Sequence, residues 1–235
     1  MKIALASGGK DSLYASYIEW PPDLFLFLVY EFPVPSPHIV NMKASIATLS
    51  LTGVPVLVVR VPRVGALSYT ARVLARLNAS TIVAGDVYIE DHLRYMESLA
   101  SEAGARLKEP LWGRDTRELL YEIVERGFTA KVTGVAKNLD SLLGAVLDES
   151  TVREVEAHLT RAGADPLGEN GEYHTVVTGS PVHGERLCLR EEGVYRSGDG
   201  VILSVEPCGM PWLPGLHPSN AEVYAGDEER EADRQ

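Results

Sequence analysis

The 235-residue chain is predicted to fold as an α/β protein, a doubly wound parallel sheet with a second, smaller α+β domain. Two observations carry that prediction. Through the first half, short apolar runs of strand length alternate with segments of helical length, the order that right-handed βαβ crossovers produce. After Thr116 the texture changes to short strand-like runs broken by Gly, Pro and Asp.

Each element has its own reason. Ile3-Ala4-Leu5-Ala6 is apolar and runs into Ser7-Gly8-Gly9-Lys10-Asp11-Ser12, so a buried strand enters a tight turn, and Ser12 to Glu19 follows as a helix. Leu24 to Tyr30 is the longest apolar run and suits a parallel strand covered on both faces. Three prolines between Glu31 and His38 argue against regular structure there. Met42 to Thr52 reads as a helix stopped by Gly53, and Val54 to Val61 as the next strand. Ser68 to Asn78 is helical, because Ala71, Leu74, Ala75 and Leu77 recur near helical spacing. Thr81 to Asp86 is a strand, Asp91 to Glu102 a helix ended by Gly104, and Ala105 to Trp112 a short strand. Beyond, Thr116 to Arg126 and Thr151 to Ala162 read as helices. Phe128 to Val135, Thr175 to Val177 and Val201 to Val205 read as strands. The expected division is a larger domain over residues 1–125, a smaller one over 126–222, and an acidic tail without fixed structure over 223–235, with Gly127 a candidate hinge.

Composition narrows the function classes. Hydrophobic content of 45% and charged content of 23% are those of an ordinary globular protein. No apolar run reaches the roughly 20 residues that a membrane span needs, and the first strand leaves no room for a signal peptide. A cytoplasmic protein is expected, and its two cysteines, Cys188 and Cys208, are expected as reduced thiols. They form no CxxC pair and sit in no zinc-type cluster. With 33 acidic against 22 basic residues, the net charge of −11 argues against a general nucleic-acid binder, whose affinity comes largely from Lys and Arg on phosphates.

The Ser7–Ser12 turn is built for an anion. The first N–H groups of a helix have no intrahelical partner, and the helix dipole favours negative charge there. Gly8 and Gly9 allow close approach of backbone to a ligand, Ser7 and Ser12 add hydroxyls, and Lys10 adds a mobile positive charge. The glycine-to-lysine spacing is too short for the GxxxxGK[ST] loop. Asp86 ends a strand at the carboxyl edge, where open α/β sheets bind ligands, although a helix cap would place an Asp there equally well.

A second cluster is Gly168-Glu169-Asn170-Gly171-Glu172-Tyr173-His174-Thr175. Two carboxylates flanking an Asn-Gly turn suit a metal, an ammonium group or general-base work, and equally a plain hairpin with solvated acids.

The string SGGKDS resembles the pyrophosphate loop of the N-type ATP pyrophosphatases, which cleave ATP to AMP and pyrophosphate. Joined to the Gly-Glu-x-Gly-Glu motif, to Gly85-Asp86-Val87 with Arg94 nearby, and to Glu109-Pro110-Leu111-Trp112-Gly113, it resembles the diphthine–ammonia ligase family over residues 1–186. The Pro-rich stretch Glu31 to Asn41 matches only loosely.

The resemblance implies a Rossmann-like fold of the adenine nucleotide α-hydrolase type and an amide-forming ligase. ATP would adenylate the carboxylate of diphthine on elongation factor 2, and ammonia would displace AMP. It implies ATP at Ser7, Gly8, Gly9, Lys10, Asp11, Ser12 and Asp86, with Mg²⁺ on Asp11. Lys10, Asp11, Glu169 and Glu172 would be catalytic, and Arg94, Tyr173 and His174 would bind substrate. Glu169 and Glu172 are assigned to the acceptor half-reaction rather than to ATP, because they lie far along the chain and two anions repel a triphosphate. Tyr173 would face the trimethylammonium of diphthine. The partners are elongation factor 2 and ammonia, with neither membrane nor nucleic acid, and self-association left open. Two alternatives share the loop: a tRNA-adenylating enzyme, which the acidic charge disfavours, and a non-catalytic sensor of ATP or AMP.

Overall fold

The computed structural model describes residues 1–30, 36–198 and 200–209. Five parallel strands form the first sheet: β1 (Lys2–Leu5), β2 (Leu24–Tyr30), β3 (Val56–Val61), β4 (Thr81–Val83) and β5 (Arg106–Lys108), in the order β3-β2-β1-β4-β5. Between them run α1 (Lys10–Ile18), the short α2 (Pro37–Val40), α3 (Met42–Ser50), α4 (Ala66–Arg76) and α5 (Glu90–Ala103). Alternate residues of each strand feed opposite faces. Ile3, Leu24, Leu26 and Ile82 pack with Leu74 of α4 and Leu99 of α5 on one face. Ala4, Phe25, Phe27 and Val83 pack with Leu13 of α1 and Leu49 of α3 on the other.

The chain then passes through α6 (Thr116–Glu125) into an antiparallel sheet. Its strands are β6 (Thr129–Ala136), β7 (Val146–Leu147), β8 (Tyr173–Gly179), β9 (Leu189–Ser197) and β10 (Gly200–Pro207). The order is β7-β6-β10-β9, with β8 also paired to β6, and α7 (Val152–Arg161) precedes β8. Asp115 caps α6 by accepting from the Glu118 N–H at 2.9 Å, and Leu119, Leu120, Ile123 and Val124 bury its inner face. The core on the α1 side of the first sheet continues into Ala130, Val132, Val177 and Val201 of the second. One apolar interior therefore spans both sheets.

Four local features differ from the expectation. Helix α1 starts at Lys10 rather than Ser12, because the Leu13 N–H already bonds the Gly9 carbonyl at 3.1 Å. Pro37 opens α2 instead of forbidding structure. At the first helical position a proline loses only an N–H that would lack a partner anyway. Strand β9 carries the charged run Arg190-Glu191-Glu192 and exposes Val194 and Tyr195. An edge strand needs no buried alternation, so its sequence hid it.

The cysteines are not reduced thiols: Cys188 and Cys208 form a disulfide with Cα atoms 5.3 Å apart. Leu189 pairs with Pro207 in the β9–β10 ladder, so the cysteines flank the last rung and face each other. The Cys208 N–H bonds the Cys188 carbonyl at 2.9 Å. Among the described residues no helix is long and apolar enough to cross a membrane. The acidic segment 223–235 lies outside the described residues.

Candidate active site

A cavity of about 910 Å³ opens at the carboxyl ends of β1, β2 and β4. The strand order turns from β2 and β3 on one side of β1 to β4 and β5 on the other, and such a switch point is where open parallel sheets bind ligands. Ser7, Gly9, Lys10, Asp11 and Ser12 line it from the β1–α1 turn, Asp86 from beyond β4, and Tyr95 and Met96 from α5. The second sheet contributes Glu169, Tyr173 and His174. The two motifs, some 150 residues apart in sequence, share one cavity.

Strand β8 builds the turn as much as β1 does. The Thr175 hydroxyl accepts from the Lys10 N–H at 3.1 Å, and the Val177 N–H bonds the Gly8 carbonyl at 3.0 Å. Gly8 has φ +78°, and a Cβ there would stand 2.9 Å from the Ser45 Cα of α3. Its glycine admits the neighbouring helix, not a ligand. At Gly9 a Cβ would meet His38 Cε1 at 3.1 Å. Within the turn, the Ser12 hydroxyl accepts from the Ser7 N–H at 3.2 Å, which leaves the Ser7–Ser12 backbone tightly curled.

Lys10 is held rather than mobile. Only 1% exposed, its ammonium donates to the Leu167 carbonyl at 2.6 Å and to Asp11 Oδ2 at 3.0 Å, and lies 4.5 Å from the centre of the Tyr173 ring. Burial, the largest single effect, would pull its pKa down, but Asp11 and Tyr173 together outweigh it and hold the ammonium above the ordinary lysine value. For Asp11 burial is the larger effect, and its carboxyl is raised despite the Lys10 charge. The Tyr173 ring is thereby occupied by the protein's own cation, and its hydroxyl donates to the Pro166 carbonyl at 2.9 Å. It is not left for a substrate trimethylammonium.

Asp11 Oδ1 is buried and, among the described residues, has no hydrogen-bond partner. An orphaned carboxylate oxygen facing an anion-type turn fits Mg²⁺, which keeps most of its shell as water and phosphate oxygens and needs few protein ligands. Among the described residues no group of three or more His, Cys, Asp or Glu could hold an ion by itself. Asp11 would therefore share the metal with a bound phosphate.

The two glutamates of the second motif part company. Glu169 lines the cavity, and burial first, then the nearby Asp11 charge, pushes its carboxyl up to about 8. Glu172 instead clasps its own loop. It accepts from the Asp165 N–H at 3.0 Å, the Asn170 N–H at 2.9 Å and the Asn170 side chain at 3.0 Å. Burial opposes its charge, but those donors win and lower its pKa. The pairing of both acids in one acceptor site is corrected accordingly: Glu172 shapes the loop, and Glu169 sits close to Asp11 rather than apart from the Ser7–Ser12 turn.

A pH prediction follows for Glu169. Its folded pKa is raised, so between 4.5 and about 8 the native state binds a proton that the unfolded chain has released. Stability contributed by the neutral acid is complete below 4.5 and is lost as pH rises through about 8. Glu169→Gln is expected to gain stability over the parent progressively across that window and to change no further outside it. Urea unfolding at several pH values measures this; a difference constant with pH would refute it.

Asp86 is part of a second acid pair at the rim. Its N–H donates to Glu109 Oε2 at 3.2 Å, its Oδ1 meets His92 Nδ1 at 3.1 Å, and burial, then Asp86, raise Glu109 to about 8. Arg94 is not in the site. On the solvent side of α5 its side chain is 68% exposed and pairs with Glu90 at 2.7 Å and Asp91 at 3.5 Å. Helical i,i+4 geometry explains that pairing without any substrate. Arg94→Ala is expected to leave stability within about 0.5 kcal/mol of the parent, checked by thermal melting.

Sequence reasoning missed two contributors, the Leu167 carbonyl and the Thr175 hydroxyl as a cap of α1, and did not settle His38 of the Pro-rich stretch. A carbonyl has no signature in sequence. Thr175 closes the second cluster, but nothing local indicates that it reaches α1.

The fold and the cavity define a Rossmann-like, doubly wound protein with an appended antiparallel sheet that completes its ligand turn. Residues 115–206 match the family described as diphthamide synthase C-terminal domain. A relative named diphthine–ammonia ligase, from Schizosaccharomyces pombe, is 28% identical over 123 residues, covering 48% of this chain and 19% of the relative. The match thus spans about a fifth of that relative's length. Both matches carry diphthamide-synthesis names, and each covers less than half of this chain. A solved structure titled as a predicted subunit of tRNA methyltransferase, from Methanocaldococcus jannaschii, is 16% identical with a TM-score of 0.41, covering 77% of this chain and 97% of that one.

Proposed function

We propose that the chain is an ATP-dependent ligase of diphthamide synthesis, which adenylates the carboxylate of diphthine on elongation factor 2 and lets ammonia displace AMP. The observation that carries this reading is the buried Lys10–Asp11 pair in the first turn of α1, at the switch point of a parallel sheet. It is roofed by a loop from the part of the chain that matches the diphthamide synthase C-terminal domain. The name of the fission-yeast relative supplies the substrate class.

A carboxylate is a poor acyl donor, and joining it to AMP provides a good leaving group. The first turn of α1 and the Lys10 charge place positive potential at the turn, where two phosphates would lie and separate as pyrophosphate. Mg²⁺, when bound, adds charge neutralisation on the phosphates, and Asp11 is the residue that would hold it. Tyr95, Met96 and Ile89 give one wall of the cavity an apolar surface suited to a purine ring. Glu169, neutral at moderate pH, can approach a phosphate without adding repulsion.

The test supplies diphthine-bearing elongation factor 2, ATP, Mg²⁺ and ammonium to the purified chain. AMP, pyrophosphate and amide are expected in equal amounts. ADP and orthophosphate as products, or AMP formation indifferent to the acceptor, would refute the reading.

A further inference from the structure

Resting on the ligase reading, we propose that His174 is the base that takes the proton from the attacking nitrogen during amide formation, and that His38 positions it. His174 stands on β8 between Tyr173, whose ring covers Lys10, and Thr175, whose hydroxyl caps α1. It lines the cavity, and its ring meets that of His38 edge to face, ring centres 5.3 Å apart and planes at 90°, with no hydrogen bond to its ring nitrogens among the described residues. A side chain that faces a ligand cavity and spends no ring nitrogen on the protein is available to a substrate.

The placement of His38 is over-determined. Pro37 lies on Gly134 of β6 so closely that a Cβ there would stand 2.5 Å from its ring, and Gly134 is the register partner of His174. Asn41, at the end of α2, locks the helix to β10 by bonding the Leu203 carbonyl at 3.0 Å and the Val205 N–H at 2.8 Å. The other side of the His38 ring rests against Gly9, where any Cβ would crowd it. Among the described residues its Nδ1 is buried without a partner. The result is an imidazole pair fixed between the phosphate turn and the second sheet.

Both rings are neutral at working pH. Burial, then Lys10, lowers His174 to about 4. Burial, then His174 and Lys10, lowers His38 to about 3. A neutral imidazole keeps a lone pair for a proton; the lowered pKa makes it a weak base, which takes the proton only from the cationic nitrogen of the adduct and gives it up at once.

In the step proposed, the lone pair of ammonia forms a bond to the acyl carbon of the adenylate. A proton on that nitrogen passes to the imidazole of His174. The bond from carbon to the AMP oxygen breaks, and its electron pair leaves on AMP. The imidazolium, close to Lys10, then sheds its proton to water and is reset.

The experiment uses the full chain with Mg²⁺, ATP and diphthine-bearing elongation factor 2, and separates two readouts. Exchange of pyrophosphate into ATP without ammonia reports adenylation; amide formation with ammonium chloride reports the second half. His174→Gln is expected to keep exchange within about threefold while amide formation slows about a hundredfold. Added imidazole should restore part of the amide rate to His174→Ala but not to the parent. For His38, Phe should preserve amide formation that Ala loses, because a ring edge suffices to position His174.

Exchange falling as far as amide formation in His174→Gln would overturn the proposal, and so would an amide rate equal to the parent's. If that variant does not fold, equal amide rates for His38→Phe and His38→Ala at parental exchange would overturn it instead. A parent that shows no acceptor-dependent exchange refutes the ligase reading itself, a failure visible before any variant is made.

Discussion

Lys10→Met is expected to reduce AMP formation about a thousandfold, because the substitution removes the buried cation held at the proposed phosphate turn while keeping most of the buried stem. It is also expected to cost stability, and the two losses have different origins. Removing one partner of a buried ion pair strands the other, at about 3–5 kcal/mol for a fully enclosed group. The Asp11 side chain is 26% exposed, so the low end of that range applies. The Leu167 carbonyl loses its donor as well. With Lys10 gone, the carboxyl of Asp11 rises further and takes up a proton sooner as pH falls. The stability deficit should therefore be largest at high pH and shrink towards acid. Lys10→Met combined with Asp11→Asn is expected to recover most of the stability and none of the turnover. Urea unfolding and AMP release, run on the same preparations, decide the matter. Recovery of activity in the double variant would mean that Lys10 serves the fold alone.

That dual burden shows what the sequence could and could not reveal. The parallel sheet was legible because both its faces are covered: Leu24–Tyr30 has no polar residue to blur the run, and the observed strand has the predicted limits. The turn after β1 was legible for the same reason, as a glycine pair between a buried strand and a helix. What Lys10 does there was not. A lysine beside two glycines reads as a free charge, and only the fold brings the Leu167 carbonyl and the Tyr173 ring around it. Glu169 and Glu172 look equivalent in sequence, flanking one Asn-Gly turn. They diverge because one side of the turn faces the cavity and the other faces the N–H groups of Asp165 and Asn170. Arg94 failed in the opposite direction: the resemblance suggested a site residue, while α5 turns that position to solvent among Glu90 and Asp91. Long-range register, not local pattern, separates these cases. The same is true of His38, whose role depends on Pro37 meeting Gly134 across the two sheets.

Register also makes one glycine far more sensitive than its neighbour in the same motif. Gly168 and Gly171 both adopt left-handed backbone, with φ of +83° and +82°. Such a conformation costs a non-glycine residue about 1–2 kcal/mol, so alanine at Gly171, which has nothing within 4 Å of its added Cβ, should lose about that much. At Gly168 the Cβ would stand 2.7 Å from Tyr173 Cδ1, 2.8 Å from its Cε1 and 3.1 Å from its carbonyl oxygen. That ring cannot yield easily, since it is 3% exposed and tied through its hydroxyl to the Pro166 carbonyl. Overpacking there adds about 1–3 kcal/mol, so Gly168→Ala is expected to lose about 3 kcal/mol or more in all. Function should suffer beyond stability. Leu167, whose carbonyl anchors the Lys10 ammonium, immediately precedes Gly168, and Tyr173 is the ring beneath that ammonium. Displacing either by an ångström moves the cation away from the phosphates, a shift worth about a hundredfold in rate. AMP formation by the folded fraction of Gly168→Ala should accordingly fall to about a hundredth, while Gly171→Ala keeps most of its rate. Equal losses at the two positions would show that loop conformation alone matters, and that the Tyr173–Lys10 contact does not transmit the change to the phosphate turn.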